Sequence, residues 1–183
     1  MSEASPERLF FAIWPSEAER AAMRAAAARL VLDERSRRVG AEEFHVTVAF
    51  VGAVAAARRD ELRRIGAGCA RGPCRLQFDA YEYWPKPQVV VAAARQIPPS
   101  LERLWRRLHE RLATAGFALD PKRLRPHVTL ARSVGDAPPS LPAPPACVWD
   151  ALELCLVHSA RGRAASAYTV VGRWPLLDEP PAT

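Results

Sequence analysis

Apolar residues in this chain fall into short alternating runs separated by stretches with helical spacing. Arg8 to Ile13 (RLFFAI) has the character of a strand, and Pro15-Ser16 then opens a helix in which Ser16 and Glu19 have the spacing of a capping box. An alanine-rich stretch carries that helix to about Leu32, and a polar connection leads to a second strand beginning at His45. Ala56 to about Ala67 reads as helix, with Leu62 and Ile65 as its apolar contacts and Gly66 and Gly68 near its end. Two strands follow, Arg75 to Tyr83 and Gln88 to Ala94, joined by the turn-like Trp84-Pro85-Lys86-Pro87. The clearest helix is capped at Ser100, carries Leu101, Leu104, Trp105, Leu108 and Leu112 on one face, and stops before Gly116. A strand follows Pro126. Asp136 to Pro145 (DAPPSLPAPP) is too rich in proline for a helix or a central strand and reads as a connector. Val148 to Val157 and Ala167 to Trp174 alternate as two further strands, and Asp178 to Thr183 reads as a frayed tail.

Two of these strands open on the same phrase. His45-Val46-Thr47-Val48 is matched, 82 residues later, by His127-Val128-Thr129-Leu130. Side chains alternate along a strand, so His45 shares a face with Thr47 and His127 with Thr129, while Val46, Val48 and Phe50 are expected on the opposite, core-facing side. A single His-x-Thr means little, because a histidine beside a strand is ordinarily packed or solvated. Two copies in one apolar strand context, in a chain with only four histidines and five threonines, are hard to ascribe to accident. Each copy is also preceded by a helix and a connector of similar length, a weak internal repeat that makes the two motifs pseudo-symmetric partners. His109, among arginines and glutamate on its helix, reads as a surface residue.

Imidazole has an ordinary pKa of about 6.5, so a pair can supply one neutral and one protonated ring near neutral pH. Such a pair can act as general base and general acid across a phosphodiester: one removes a proton from water, the other protonates the departing ribose oxygen. Thr47 and Thr129 are placed to hold the non-bridging oxygens in line.

The 183 residues, 49% apolar and 25% charged, suit one soluble globular domain, 1–183, or two small lobes. No apolar run approaches membrane-spanning length and MSEASPERLFFAIWP lacks the layout of a signal peptide, so no membrane association and a cytoplasmic location are expected. Cys69, Cys74, Cys147 and Cys155 form no CxxC and read as reduced, packed thiols. HExxH, a glycine-rich phosphate loop and paired carboxylates are all lacking, so no metal or nucleotide cofactor is expected. The net charge of +6 comes mainly from arginine, clustered at Arg35/Arg37/Arg38, Arg103/Arg106/Arg107/Arg111 and Lys122/Arg123/Arg125. Such clusters suit phosphate recognition or merely solvate helix faces, and both readings stay open.

The segments His45-Val-Thr-Val-Ala-Phe-Val-Gly and Arg125-Pro-His-Val-Thr-Leu-Ala-Arg132 resemble the twin HxTx signatures of the two-histidine phosphoesterases, specifically the LigT-like RNA 2′,3′-cyclic phosphodiesterases. The likeness runs from Arg8-Leu9-Phe10-Phe11-Ala12-Ile13 through Trp84 to Ser159-x-x-Gly162 and Tyr168-x-x-x-x-x-Trp174. It implies an α+β, bilobal fold: two pseudo-symmetric lobes of antiparallel sheet with outer helices and a catalytic cleft between them. It also implies hydrolysis of an RNA 2′,3′-cyclic phosphate end to a 2′-phosphomonoester, together with reversible 2′,5′ ligation. His45 would be the proton donor, His127 the proton acceptor, and Thr47 and Thr129 phosphate ligands. Arg132 would lie near the ligand, although strict alternation puts it on the wrong face unless the strand ends or bulges before it. Phe10 could stack on a base, but a Phe in an apolar strand is more often core. No cofactor or protein partner is implied, and a monomer is expected. A cyclic phosphodiesterase for small nucleotide-derived substrates and a non-catalytic RNA-binding module are the alternatives.

Overall fold

The computed structural model describes residues 6–119, 123–135, 141–143, 147–160 and 168–178. In chain order its elements are β1 (Glu7–Ile13), α1 (Glu17–Ala28), β2 (Arg37–Arg38), β3 (Val46–Val54), α2 (Arg59–Cys69), β4 (Cys74–Phe78), β5 (Ala80–Trp84), β6 (Val89–Ala93), α3 (Pro99–Thr114), β7 (His127–Arg132), β8 (Cys147–Ala151), β9 (Glu153–Ser159) and β10 (Tyr168–Pro175). Short 3₁₀ turns at Ala41–Glu43 and Ala56–Arg58 lead into β3 and α2. The strands form two four-stranded antiparallel sheets, ordered β10-β9-β1-β3 and β2-β7-β6-β5, and a ribbon of β4 with β8. This is the α+β, two-lobed arrangement expected.

Helices are shared between the lobes in a crossed manner. α2 lies on the first sheet, where a Cβ added at Gly66 would come within 2.6 Å of the Trp174 ring and 3.0 Å of Phe11, and α3 packs beside α2 and β3. α1 serves the second sheet, the buried Tyr81 hydroxyl of β5 donating to Ala26 O at 2.9 Å. The chain thus leaves α1 on one lobe to enter β3 on the other, and leaves α3 on one lobe to enter β7 on the other. The internal repeat of the sequence is realised as this exchange.

Local chemistry explains most element ends. Ser16 and Glu19 form the expected capping box of α1. Leu101, Leu104, Leu108 and Leu112 of α3 are each fully buried, and Gly116, at φ 76°, supplies the left-handed residue just after its end. Four expectations need correction. α1 stops at Ala28 rather than near Leu32, because the Arg38 guanidinium takes the carbonyls of Ala27 and Leu30, and the chain then turns Leu30 into the core. The Arg75–Tyr83 strand is two strands in different sheets, β4 and β5, divided at Asp79, whose N–H donates to Ala93 O (3.1 Å) and whose carboxylate accepts the Arg95 N–H (3.1 Å). Val148–Val157 likewise divides at the exposed Leu152 into β8 and β9. α3 has no side-chain cap from Ser100: it starts at Pro99, a residue suited to a first helical position because its missing N–H is not needed there. The Asp136–Pro145 connector and the C-terminal tail lie outside the described residues except for 141–143 and Asp178.

Three arginines, two of them (Arg38 and Arg107) from the basic clusters, have structural work. Arg38 closes the end of α1, Arg107 donates to Arg71 O (2.7 Å) just past the end of α2, and Arg58 donates to Ala115 O (2.6 Å) at the end of α3 while its guanidinium lies 3.7 Å from the Phe117 ring centroid. Carbonyls left without an intrahelical partner, at the negative end of each helix dipole, thereby receive a cation from elsewhere in the chain. Part of the excess positive charge is therefore engaged in holding the helix ends, a role that neither reading of the clusters anticipated. All four cysteines are buried free thiols, with burial pushing Cys74 and Cys155 up to about 11. Among the described residues no helix is long and apolar enough to cross a membrane.

Candidate active site

Each histidine is set by the carbonyl two residues before it. His45 follows the 3₁₀ turn and the buried Phe44, and its Nδ1 lies 2.7 Å from Glu43 O; His127 opens β7, and its Nδ1 lies 2.7 Å from Arg125 O. A carbonyl oxygen can only accept, so Nδ1 carries the hydrogen in both rings and Nε2 is the atom left for chemistry. The same device, used once in each lobe, turns both Nε2 atoms toward one cleft of about 320 Å³ lined by His45, Thr47, His127, Thr129 and Arg132.

Aromatic rings hold the imidazoles. Trp14 stacks on His45 (centroids 5.6 Å apart, 8° between planes), with Phe10 at 5.0 Å and Tyr168 edge-on at 5.0 Å. Trp84 lies 4.4 Å from His127, its own Nε1 donating to the Glu82 carboxylate at 2.9 Å. Arg125 pairs with the same carboxylate at 2.8 Å and sits 4.5 Å from the Trp84 ring centroid. Burial in these surroundings pushes His45 down to about 4, helped by the charges of His127 and Arg132 and opposed by the Glu43 carbonyl. Burial also lowers His127, with Arg125 and Arg132 adding to the effect, while the Arg125 carbonyl and the Glu82 carboxylate oppose it.

The remaining site residues are aimed by β-bulges. Thr47 pairs with Ala12 and Ala49 with Phe11, so Val48 is the extra residue; Thr129 pairs with Val91 and Ala131 with Val90, so Leu130 is the extra residue. Each bulge falls three residues after its histidine and inverts the alternation beyond it. Arg132 is thereby brought to the cleft face with His127 and Thr129, as the bulge condition required. In β3 the same inversion corrects the expected core position of Phe50: it is 58% exposed and lines the cleft, while Val46 and Val48 are buried. Phe50 and Arg132 occupy equivalent places in the two lobes, so the pseudo-symmetry breaks into one aromatic and one cationic wall. A second bulge at Val51 is closed by Gly52 at φ 84°, a conformation that favours glycine.

Phe10 lines the cleft but is only 3% exposed, packed with Ala12, Cys155 and Val157 beneath the His45 ring. Its ring supports a histidine, and Phe50 is the aromatic open at the mouth. The sequence reading placed Phe50 in the core and so missed it at the cleft; Arg8, which shares a strand face with Phe10, Ser159 and Tyr168 entered it only through the resemblance, without a role, and Gly162 lies outside the described residues. The cleft thus carries two arginines and no acidic side chain among the described residues that line it, the electrostatics of an anion site. His109 is not in this cleft.

Thr47 and Thr129 are half-buried in the cleft wall. Thr47→Val and Thr129→Val keep the β-branched shape and remove only the hydroxyl, so each should lower kcat/KM for a cyclic phosphate about ten- to hundredfold, the worth of a lost hydrogen bond to a charged group, with thermal unfolding unchanged. Unaltered kinetics in both variants would reduce the threonines to strand residues.

The profile of the 2′-5′ RNA ligase superfamily matches residues 14–163. The chain is 32% identical over 179 residues to the RNA 2′,3′-cyclic phosphodiesterase of Escherichia coli, an alignment covering 96% of this chain and 99% of that protein. Its fold is similar to crystal structures of Escherichia coli LigT complexed with 3′-AMP (TM-score 0.84, 30% identity, 93% of this chain and 98% of the other) and of a Thermus thermophilus protein (TM-score 0.80, 26% identity, 94% and 100%). With a family profile across most of its length and relatives aligned from end to end, this chain belongs to the 2′-5′ RNA ligase superfamily, the two-histidine phosphoesterases.

Proposed function

We propose that this protein hydrolyses the 2′,3′-cyclic phosphate at an RNA 3′ end to a 2′-phosphomonoester. The observation that carries the reading is the meeting, in one cationic cleft, of two imidazoles whose Nδ1–H groups are both spent on main-chain carbonyls, leaving two Nε2 atoms for proton transfer. The relative from Escherichia coli, named for this activity, supports the choice of substrate. Following the resemblance, neutral His127 takes a proton from water, the oxygen attacks phosphorus, and the 3′ oxygen leaves with a proton from His45. Thr47, Thr129 and Arg132 hold the non-bridging oxygens. If the 5′-hydroxyl of a second RNA takes the place of water, the same displacement forms a 2′,5′ junction. No step requires a metal ion. Both histidines and both threonines come from one chain, so a monomer completes the site without a protein partner, and the four buried thiols fit the reducing cytoplasm.

The test is to incubate the protein with EDTA and an RNA ending in a 2′,3′-cyclic phosphate and to identify the monoester formed. A 2′-phosphate produced at an unchanged rate is expected; a 3′-phosphate, or loss of activity in EDTA, would overturn the mechanism.

The lowered imidazoles set the pH dependence. Activity needs one ring protonated and one neutral, and kcat/KM reports the free protein, so its profile should be a bell. The acid limb lies near 4, where the pair takes up its second proton, and the alkaline limb lies below 6.5, where its last proton is lost. Between them the single proton rests chiefly on His127 in the free protein. The reactive arrangement, with the proton on His45, is the minor tautomer of that same state, which leaves both limbs in place. Bound phosphate stabilises imidazolium, so the profile of kcat should sit at higher pH. A monotonic rise through pH 8 in both parameters would contradict the two-imidazole scheme.

A further inference from the structure

A second depression, of about 1060 Å³, opens directly from the catalytic cleft, and Thr47, Phe50, Trp84, Pro87 and His127 line both. Its far end is formed by Trp105 and His109, one turn apart on the flank of α3. That helix already buries four leucines on its inner face; Trp105 packs partly against this core while leaving part of its ring to the groove, and His109 lies beside it. The two are organised: the His109 Nδ1–H donates to Trp105 O at 2.9 Å, and the two rings lie 4.3 Å apart with 39° between their planes, half-buried and facing the groove. Lys86, in the turn between β5 and β6, and Arg123, before β7, border the same groove and are exposed.

Aromatic platforms beside a row of cations are how single-stranded nucleic acid is gripped without regard to sequence, bases on the rings and phosphates on the charges. Continuity with the cleft fixes the direction. A 2′,3′-cyclic phosphate is the end of its strand, so the rest of an RNA can leave the cleft only through the 5′ oxygen of the terminal nucleotide. We propose that the groove ending at Trp105 and His109 is the binding track for the nucleotides immediately 5′ of the cyclic phosphate, a base stacking on this ring pair and the backbone running past Lys86 and Arg123. The inference rests on the cyclic phosphodiesterase reading of the cleft. It gives the protein a preference for oligonucleotides over mononucleotides that the catalytic residues alone do not supply, and gives His109 a role in binding.

The experiment compares hydrolysis of a 2′,3′-cyclic mononucleotide with that of a tetranucleotide ending in the same group, for the wild type, His109→Ala, Trp105→Leu and Lys86→Glu. Trp105 also touches the core, so its variant is read together with a melting curve, while His109 and Lys86 are free of that complication. The wild type should prefer the tetranucleotide about five- to hundredfold in kcat/KM, the worth of one stacked base, and the preference should weaken with salt. His109→Ala and Lys86→Glu should each remove most of the preference through KM while leaving mononucleotide turnover unchanged, and Lys86→Glu should also flatten the salt dependence. Equal turnover of the two substrates by the wild type, or a preference that survives both variants, would overturn the track and leave the catalytic reading standing; so would displacement of a protein ligand, but not of RNA, by the groove variants. Failure to hydrolyse either substrate would instead remove the reading of the cleft on which the track depends.

Discussion

Replacing His45 or His127 by alanine is expected to lower kcat on a 2′,3′-cyclic phosphate by about 10²–10⁴, the usual worth of a positioned general acid or base. The double variant should be little worse than either single one. Acid and base act in one displacement, so once either is gone the other has nothing to work with, and the losses do not add. His45 is packed against Trp14, Phe10 and Tyr168, so alanine there also opens space. Asparagine controls for this, because its side-chain amide can still donate to Glu43 O, or to Arg125 O in the second lobe, while supplying no titratable nitrogen. If either asparagine variant kept more than about a tenth of wild-type turnover, that histidine would not be an acid or base.

The parts of this molecule that were legible in the sequence are those decided locally. The capping box at Ser16 and Glu19, the leucine face of α3 and the left-handed glycine after it depend on residues within a turn or two of one another. The paired His-x-Thr phrases were legible for a different reason: repetition in a short chain is itself a signal. Features decided by pairing partners were not legible. Arg75–Tyr83 keeps its apolar alternation through Asp79, yet the strand on one side belongs with β8 and that on the other with β6. The two-residue β2 forms only because Arg37 and Arg38 find Arg132 and Ala131 beside them. The helix-capping arginines act across distances in sequence that no periodicity encodes, so the helix-end roles of Arg38 and Arg107 were not to be read from their clusters.

The bulges lie between these cases. Alternation sends neighbouring side chains to opposite faces, yet Val48-Ala49 and Leu130-Ala131 are adjacent buried apolar pairs on one face, at the same distance from their histidines. In each pair a large residue is followed by alanine, which lets the strand spend one extra residue without overfilling the core. That repeated doublet was the available sign that Phe50 and Arg132 would change faces, and it was visible only by comparing the two motifs with each other.

Arg132 is the residue for which this matters most, and its replacement should have the next largest effect. Its backbone is held between Arg37 of β2 and Val89 of β6 whatever its side chain, so Arg132→Met removes the guanidinium without dismantling the strand. Arg132 is half-buried in the cleft wall, and on the proposed mechanism its charge stabilises the transition state on the phosphate, so its loss should lower kcat/KM about 10²–10³-fold. Arg132→Lys should recover part of this, since the charge returns but the two-pronged geometry does not. The pH profile distinguishes a direct role from a structural one. Arg132 pushes both imidazoles down, so in the methionine variant each ring binds its proton more readily and both limbs of the kcat/KM bell should move to higher pH. In the lysine variant they should stay near their wild-type positions. A methionine variant as slow as expected but with an unmoved profile would mean that Arg132 shapes the cleft without acting on its charges, and the electrostatic link between the cationic wall and the histidine pair would have to be abandoned.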